Sequence, residues 1–161
     1  MKKVIFLFVC AVVMATCILK AQVNDKAAGL RLGYDAQEIL YQQLFTQSNR
    51  LELTLGVNTF GRNSAGNFCR GIGLNGVYQW LNDLSSIATG LNWYYGLGAA
   101  VLLHGNLFGT GALGQIGLDY SFNSPIQLSV DYRPGFYWLP GADNIFRFSW
   151  NTPCLSIRYR F

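Results

Sequence analysis

The stretch Cys154-Leu155-Ser156-Ile157-Arg158-Tyr159-Arg160-Phe161 places apolar residues at 155, 157, 159 and 161, with small or polar ones between them. Successive side chains of a strand point to opposite faces, so this period of two gives one apolar and one polar face. The same period runs through Arg50-Leu51-Glu52-Leu53-Thr54-Leu55-Gly56-Val57-Asn58 and through Gln127-Leu128-Ser129-Val130-Asp131-Tyr132-Arg133. In a soluble sandwich the apolar face is the interior; in a membrane barrel it is the exterior.

Composition favours the second solvent. The 161 residues are 51% hydrophobic and 15% aromatic but only 12% charged, about half the ~25% of ordinary globular domains. Mean hydropathy is +0.21, whereas a small water-soluble domain has much surface to cover with charge. Eighteen Gly against four Pro exclude a collagen-like chain, and the aromatic content with low net charge excludes a disordered one. Beyond the first twenty residues no apolar run approaches the ~20 residues of a membrane helix. Even Gly96–Leu103 stops at His104-Gly105. Spanning therefore falls to strands.

The N-terminal segment reads as an export signal. Lys2 and Lys3 precede an apolar run from Val4 to Leu19, and Leu19-Lys20-Ala21 offers a small residue for cleavage. Met14-Ala15-Thr16-Cys17 has the outline of a lipoprotein signal, but Thr16 is bulky for that position, so cleavage after Ala21 is expected, leaving one domain over 22–161. Loss of Lys2, Lys3 and Lys20 leaves nine cations against eight acids. With the basic excess gone, no cationic face argues for nucleic acid. Eight of the nine cations are Arg, the side chain suited to bidentate pairs in confined places.

The expected strands are 28–35, 37–45, 50–59, 70–82, 88–103, 111–122, 126–139 and 145–161. Connections at 46–49, 83–86 and 123–125 are short, and those at 60–69, 104–110 and 140–144 are mostly longer, as in barrels with short periplasmic turns and longer outer loops. Asp35-Ala36-Gln37 departs from this as a tight turn on the outer side, and Asn151-Thr152-Pro153 leaves the start of the last strand soft. The segment 37–47 also carries apolar residues at helical spacing, but a helix would remove a strand and the even count.

With its aromatic Phe161 and apolar Tyr159, Ile157 and Leu155, the end of the chain resembles the eight-stranded outer-membrane β-barrel proteins of Gram-negative bacteria. In that family the last strand is read by the outer-membrane insertion machinery, so the resemblance implies that these four residues are the insertion signal. The runs Gly114–Phe122 and Leu128–Pro134 are similar to small, mostly uncharacterised barrel proteins common in Bacteroidota. The resemblance implies an eight-stranded antiparallel up-and-down transmembrane β-barrel in the outer membrane, in contact with its lipids and lipopolysaccharide.

Barrel geometry then assigns the polar face inward. Arg31, Glu52, Asp119, Asp131, Arg133, Arg158 and Arg160 are expected to form a lumen charge network, since ~8 strands leave room only for side chains and buried ions need partners. Leu30, Leu32, Leu51, Leu53, Leu55, Trp93, Leu118, Leu128, Ile157 and Tyr159 are expected to face lipid. Gly71, Gly73, Gly96, Gly98 and Gly117 suit crowded interior positions. An aromatic rim is expected from Trp80, Trp93, Phe136, Tyr137 and Trp138, together with Tyr78, Tyr94, Tyr95, Tyr120, Phe122 and Tyr132. A rival reading makes Phe136, Tyr137, Trp138 and Leu139-Pro140 an adhesive patch.

Catalysis has thin support. Small outer-membrane acyltransferases and deacylases use a His with a Ser and an orienting acid. Here the sole His is His104, with no Ser two residues on and no acid nearby, although Asp35 and Ser64 would also lie toward the outer rim. Cys69 and Cys154 are the thiols remaining after export and are candidates for a disulfide in an oxidising compartment, their separation across the barrel weighing against it. No metal cluster, phosphate loop or nucleotide fingerprint is evident, and no cofactor is expected. The expected role is structural or surface-interacting, without an open pore, with host or envelope-protein contact through the outer loops. The alternative is a narrow transport or lipid-handling barrel, and an outer-membrane lipid-modifying enzyme ranks below it.

Overall fold

The computed structural model describes residues 25–34, 36–62, 68–105, 107–140, 146–150 and 153–161, the side chains of 60–62, 68 and 69 excepted. The export segment, Cys17, Asp35 and Ser64 lie outside the described residues. Ten strands follow one another: β1 (Lys26–Leu32), β2 (Ala36–Thr46), β3 (Asn49–Arg62), β4 (Phe68–Asp83), β5 (Leu91–His104), β6 (Leu107–Ser121), β7 (Ile126–Tyr132), β8 (Gly135–Trp138), β9 (Phe146–Ser149) and β10 (Cys154–Arg160). The 37–47 segment is strand β2, with Glu38, Leu40 and Gln42 buried and Ile39 and Tyr41 exposed.

The ten strands make eight walls. β7 and β8 are one wall interrupted at Arg133-Pro134, and their register against β6 is unbroken, Ile116 opposing Tyr132 and Leu113 opposing Gly135. Proline has no N–H to give the ladder, yet Gly114 N still donates to Pro134 O at 3.0 Å. β9 and β10 form the other composite wall. From Asp131 to Gly135 the chain advances four residues, and from Ser149 to Cys154, their partners, it advances five, so this wall carries one extra residue; residues 151 and 152 lie outside the described residues. Such a bulge shifts the alternation. Arg147 and Ser149 are buried in β9, whereas Cys154, Ser156 and Arg158 are buried in β10.

Each wall pairs antiparallel with the next wall along the chain, and the β1–β10 ladder, from Ala27–Arg160 to Leu32–Leu155, completes the ring. The chain is a closed eight-stranded antiparallel β-barrel.

Its two ends differ. At the terminal end, where β1 begins and β10 finishes, all eight walls are present. At the distal end β1 and β2 stop at a tight turn, Gly33 N donating to Ala36 O at 2.8 Å. Beyond it β9 reaches toward β3, and Ser149 Oγ donates to Thr59 O at 3.3 Å. Connection length does not separate the ends as expected. The distal link between β5 and β6 shrinks to residues 105 and 106, with Gly105 at φ 59°. The terminal link 84–90 is longer, delays β5 to Leu91 and closes through Gly90 at φ 87°. Both angles are left-handed, where glycine carries no Cβ penalty.

Candidate functional site

Alternation turns the polar faces of the strands toward the axis, and side chains from six walls converge there. Six ion pairs join Arg31, Arg50, Arg133 and Arg158 to Glu38, Glu52, Asp119 and Asp131, each side chain at most 2% exposed. Arg31 grips Asp131 side-on through Nε (3.0 Å) and Nη2 (2.7 Å) and reaches Glu38 through Nη1 (3.0 Å). Arg133 bridges Glu38 (3.2 Å) and Glu52 (2.7 Å). Glu52 also accepts from Arg158 (2.9 Å), Gln42 (2.7 Å) and Gln115 (3.2 Å), which makes it the hub. Asn75 ties Glu38 to Thr54 at 2.7 and 3.0 Å. Four cations against four anions leave this network neutral, as ions withdrawn from water require.

Arg50 closes the network toward the terminal end. Its Nη1 lies 2.6 Å from Asp119 Oδ2 as an ion pair without hydrogen-bond alignment. Its Nε donates to Gln79 Oε1, and its guanidinium carbon sits 4.5 Å above the centre of the Tyr94 ring. Tyr94 is wholly buried, and its ring lies over Gly117, its cross-strand partner.

Toward the distal end the lumen changes chemistry. Val77, Ala100, Leu102, Leu113, Tyr137 and Leu139 form one buried apolar cluster. The Tyr137 ring covers Gly111, again its cross-strand partner. The interior is therefore ionic toward the terminal end and holds this apolar cluster toward the distal end, where Asn58, Arg147 and Ser149 are also buried.

Six of the seven residues expected in the charge network are brought together here. Arg160 is not. It stands half-exposed at the terminal mouth, its Nη2 donating to the carbonyls of Phe122 and Ser124, both at 2.8 Å. Glu38 and Arg50 were not anticipated. Arg50 has the same parity as Glu52, and that was the signal available for it. Around Glu38 the signal is blurred, because Leu40 faces inward and Gln37 and Gln43 lie on the outer register.

The aromatic expectation divides. Trp80 stacks on Tyr95 at 5.3 Å, Trp93 lies 5.6 Å from Tyr95, and Tyr78 meets Trp80 edge-on, a cluster on the outer face near the terminal end. Toward the other end, Phe136 stacks on Phe146, and Trp138 is exposed beside them. Tyr137 and Tyr94 do not belong to a rim. Consecutive strand residues cannot share a face, so with Phe136 and Trp138 outside, Tyr137 must be inside.

His104 Nδ1 donates to Arg70 O at 2.7 Å at the distal rim. Cys154 is buried against Gly33, and the candidate disulfide with Cys69 falls on a side chain outside the described residues. Leu155, Ile157 and Tyr159 point outward from β10, about half exposed. No protein-family model matches this sequence, and no curated protein matches it.

Proposed function

We propose that the protein is an outer-membrane β-barrel of a Gram-negative bacterium, of the small kind seen in Bacteroidota, with a structural or surface-interaction role and a lumen closed to solutes. The observation that carries this reading is inverted burial. Arg31, Glu52, Asp119 and Arg158 are at most 1% exposed, while Leu32, Leu74, Leu97, Ile116, Leu155 and similar residues on every wall are about half exposed or more. An apolar surface that encircles the molecule far exceeds the few hundred Å² patches of soluble monomers. It suits a lipid solvent, with the aromatic clusters at the headgroups.

On this reading lipids and lipopolysaccharide are the standing partners, the insertion machinery engages β10 during biogenesis, and the distal loops make any contact with a host or another envelope protein. The ionic layer and the apolar cluster fill the lumen with side chains, which supports a closed barrel. The barrel is therefore a membrane anchor for its loops and has no enzymatic role. Reconstitution into planar bilayers tests the closed state. The expected result is no unitary conductance and no uptake of small sugars by liposomes. Stepwise ohmic conductance from the folded protein would refute it and favour the transport reading.

A further inference from the structure

A cavity of about 180 Å³ opens at the terminal mouth, and its charged lining is Asp25, Lys26, Arg50 and Arg160. Arg50 is 1% exposed. Its Nε and Nη1 are engaged by Gln79 and Asp119 and its face by Tyr94. Its Nη2 is buried and has no acceptor among the described residues. Arg160 Nε, on the same cavity, also lacks one. Both residues thus line one cavity, and each keeps a buried guanidinium donor unsatisfied. A buried charged donor without an acceptor is costly, and it marks where an acceptor belongs.

Charge fixes the kind of acceptor. Arg50 is already balanced by Asp119 within the neutral network, so among the other charged side chains lining the cavity Lys26 and Arg160 outnumber Asp25. Guanidinium groups match the two oxygens of a planar carboxylate. The space is large enough to admit a small organic acid. We propose that this mouth is a binding site for a carboxylate monoanion, held by Arg50 Nη2 and Arg160 Nε with Lys26 at the lip. The site does not depend on which membrane holds the barrel.

The test is side-chain NMR of the full exported chain refolded in zwitterionic micelles at low salt, with nitrogen-labelled arginine, titrated with acetate. The expected result is a saturable one-to-one shift of the Arg50 and Arg160 resonances, with no response to the neutral isostere acetamide. Arg160→Gln should weaken acetate at least tenfold. Lys26→Gln, on an exposed residue, should weaken it severalfold and serves if Arg160→Gln does not refold. Arg70→Gln at the distal end should leave it unchanged. Tighter binding of N-acetylglycine than of acetate would assign the carboxylate to a peptide end, and equal binding to free small acids. A non-saturating response, an equal response to acetamide, or acetate binding unaltered in Arg160→Gln and Lys26→Gln would overturn the proposal.

Discussion

Glu52 shows what one residue does for the barrel interior. It takes four donors, two of them guanidinium groups, from strands β2, β6 and β10 and from Arg133. Buried ion pairs add little net stability over apolar packing, but removing one partner costs about 3–5 kcal/mol. Glu52→Gln keeps the volume, leaves Arg133 with Glu38 alone and takes the carboxylate from Arg158, so the unfolding midpoint in urea of the refolded protein should drop, with a stability loss of about 3 kcal/mol or more. A loss under about 1 kcal/mol would mean the network relaxes around the gap. His104 belongs to the opposite case. Its ring meets the Arg70 carbonyl at the rim, and His104→Ala should leave barrel yield and outer-membrane lipid composition unchanged; an altered lipid profile would revive the enzymatic reading. The charges were largely legible because parity alone assigns them inward once lipid is outside. Arg160 was not, since parity cannot tell the lumen from its mouth. Tyr137 was misjudged by reading three consecutive aromatics as one patch against their own alternation.

Elements close where glycine lets strands crowd. Gly29 sits in the β1–β10 seam, and a Cβ there would overlap the Ile157 carbonyl oxygen. Gly114 has nothing nearer than Pro134 Cγ at 3.8 Å. Gly29→Ala should therefore lose most of the folded, heat-modifiable band on a refolding gel, while Gly114→Ala keeps it; equal yields would show that the seam tolerates a side chain. The apolar half of the lumen rests on Tyr137, and truncating a buried aromatic costs about 3–5 kcal/mol. Tyr137→Ala should lower the unfolding midpoint accordingly, and an unchanged midpoint would mean the cluster is dispensable. The number of walls was readable from the sequence, though two of them are split into two strands each, and most outer boundaries fell within a few residues. The one-residue excess between Ser149 and Cys154 was not, because a single extra residue leaves each flanking segment alternating correctly and changes only the phase between them. The short 105–106 turn was hidden too. Phe108 and Thr110 continue the alternation, but the interleaved Gly109 and Gly111 look like loop until Leu139 and Tyr137 cover them.

At the scale of the whole molecule the account rests on which solvent meets the outer face. All four tryptophans bear on it. Trp80 and Trp93 are half-buried on the outer register near the terminal end, and Trp138 and Trp150 are exposed toward the distal end. Aromatic side chains with a polar tip settle at the headgroup level on both sides of a bilayer. The fluorescence of the refolded protein in vesicles carrying lipids brominated at defined depths reads this directly. A lipid-facing outer wall gives strong quenching by bromines near the headgroups, weaker quenching by bromines near the bilayer centre, and protection from aqueous iodide. Tryptophans untouched by brominated lipid at any depth and open to iodide, on a protein that stays in solution without detergent, would contradict it.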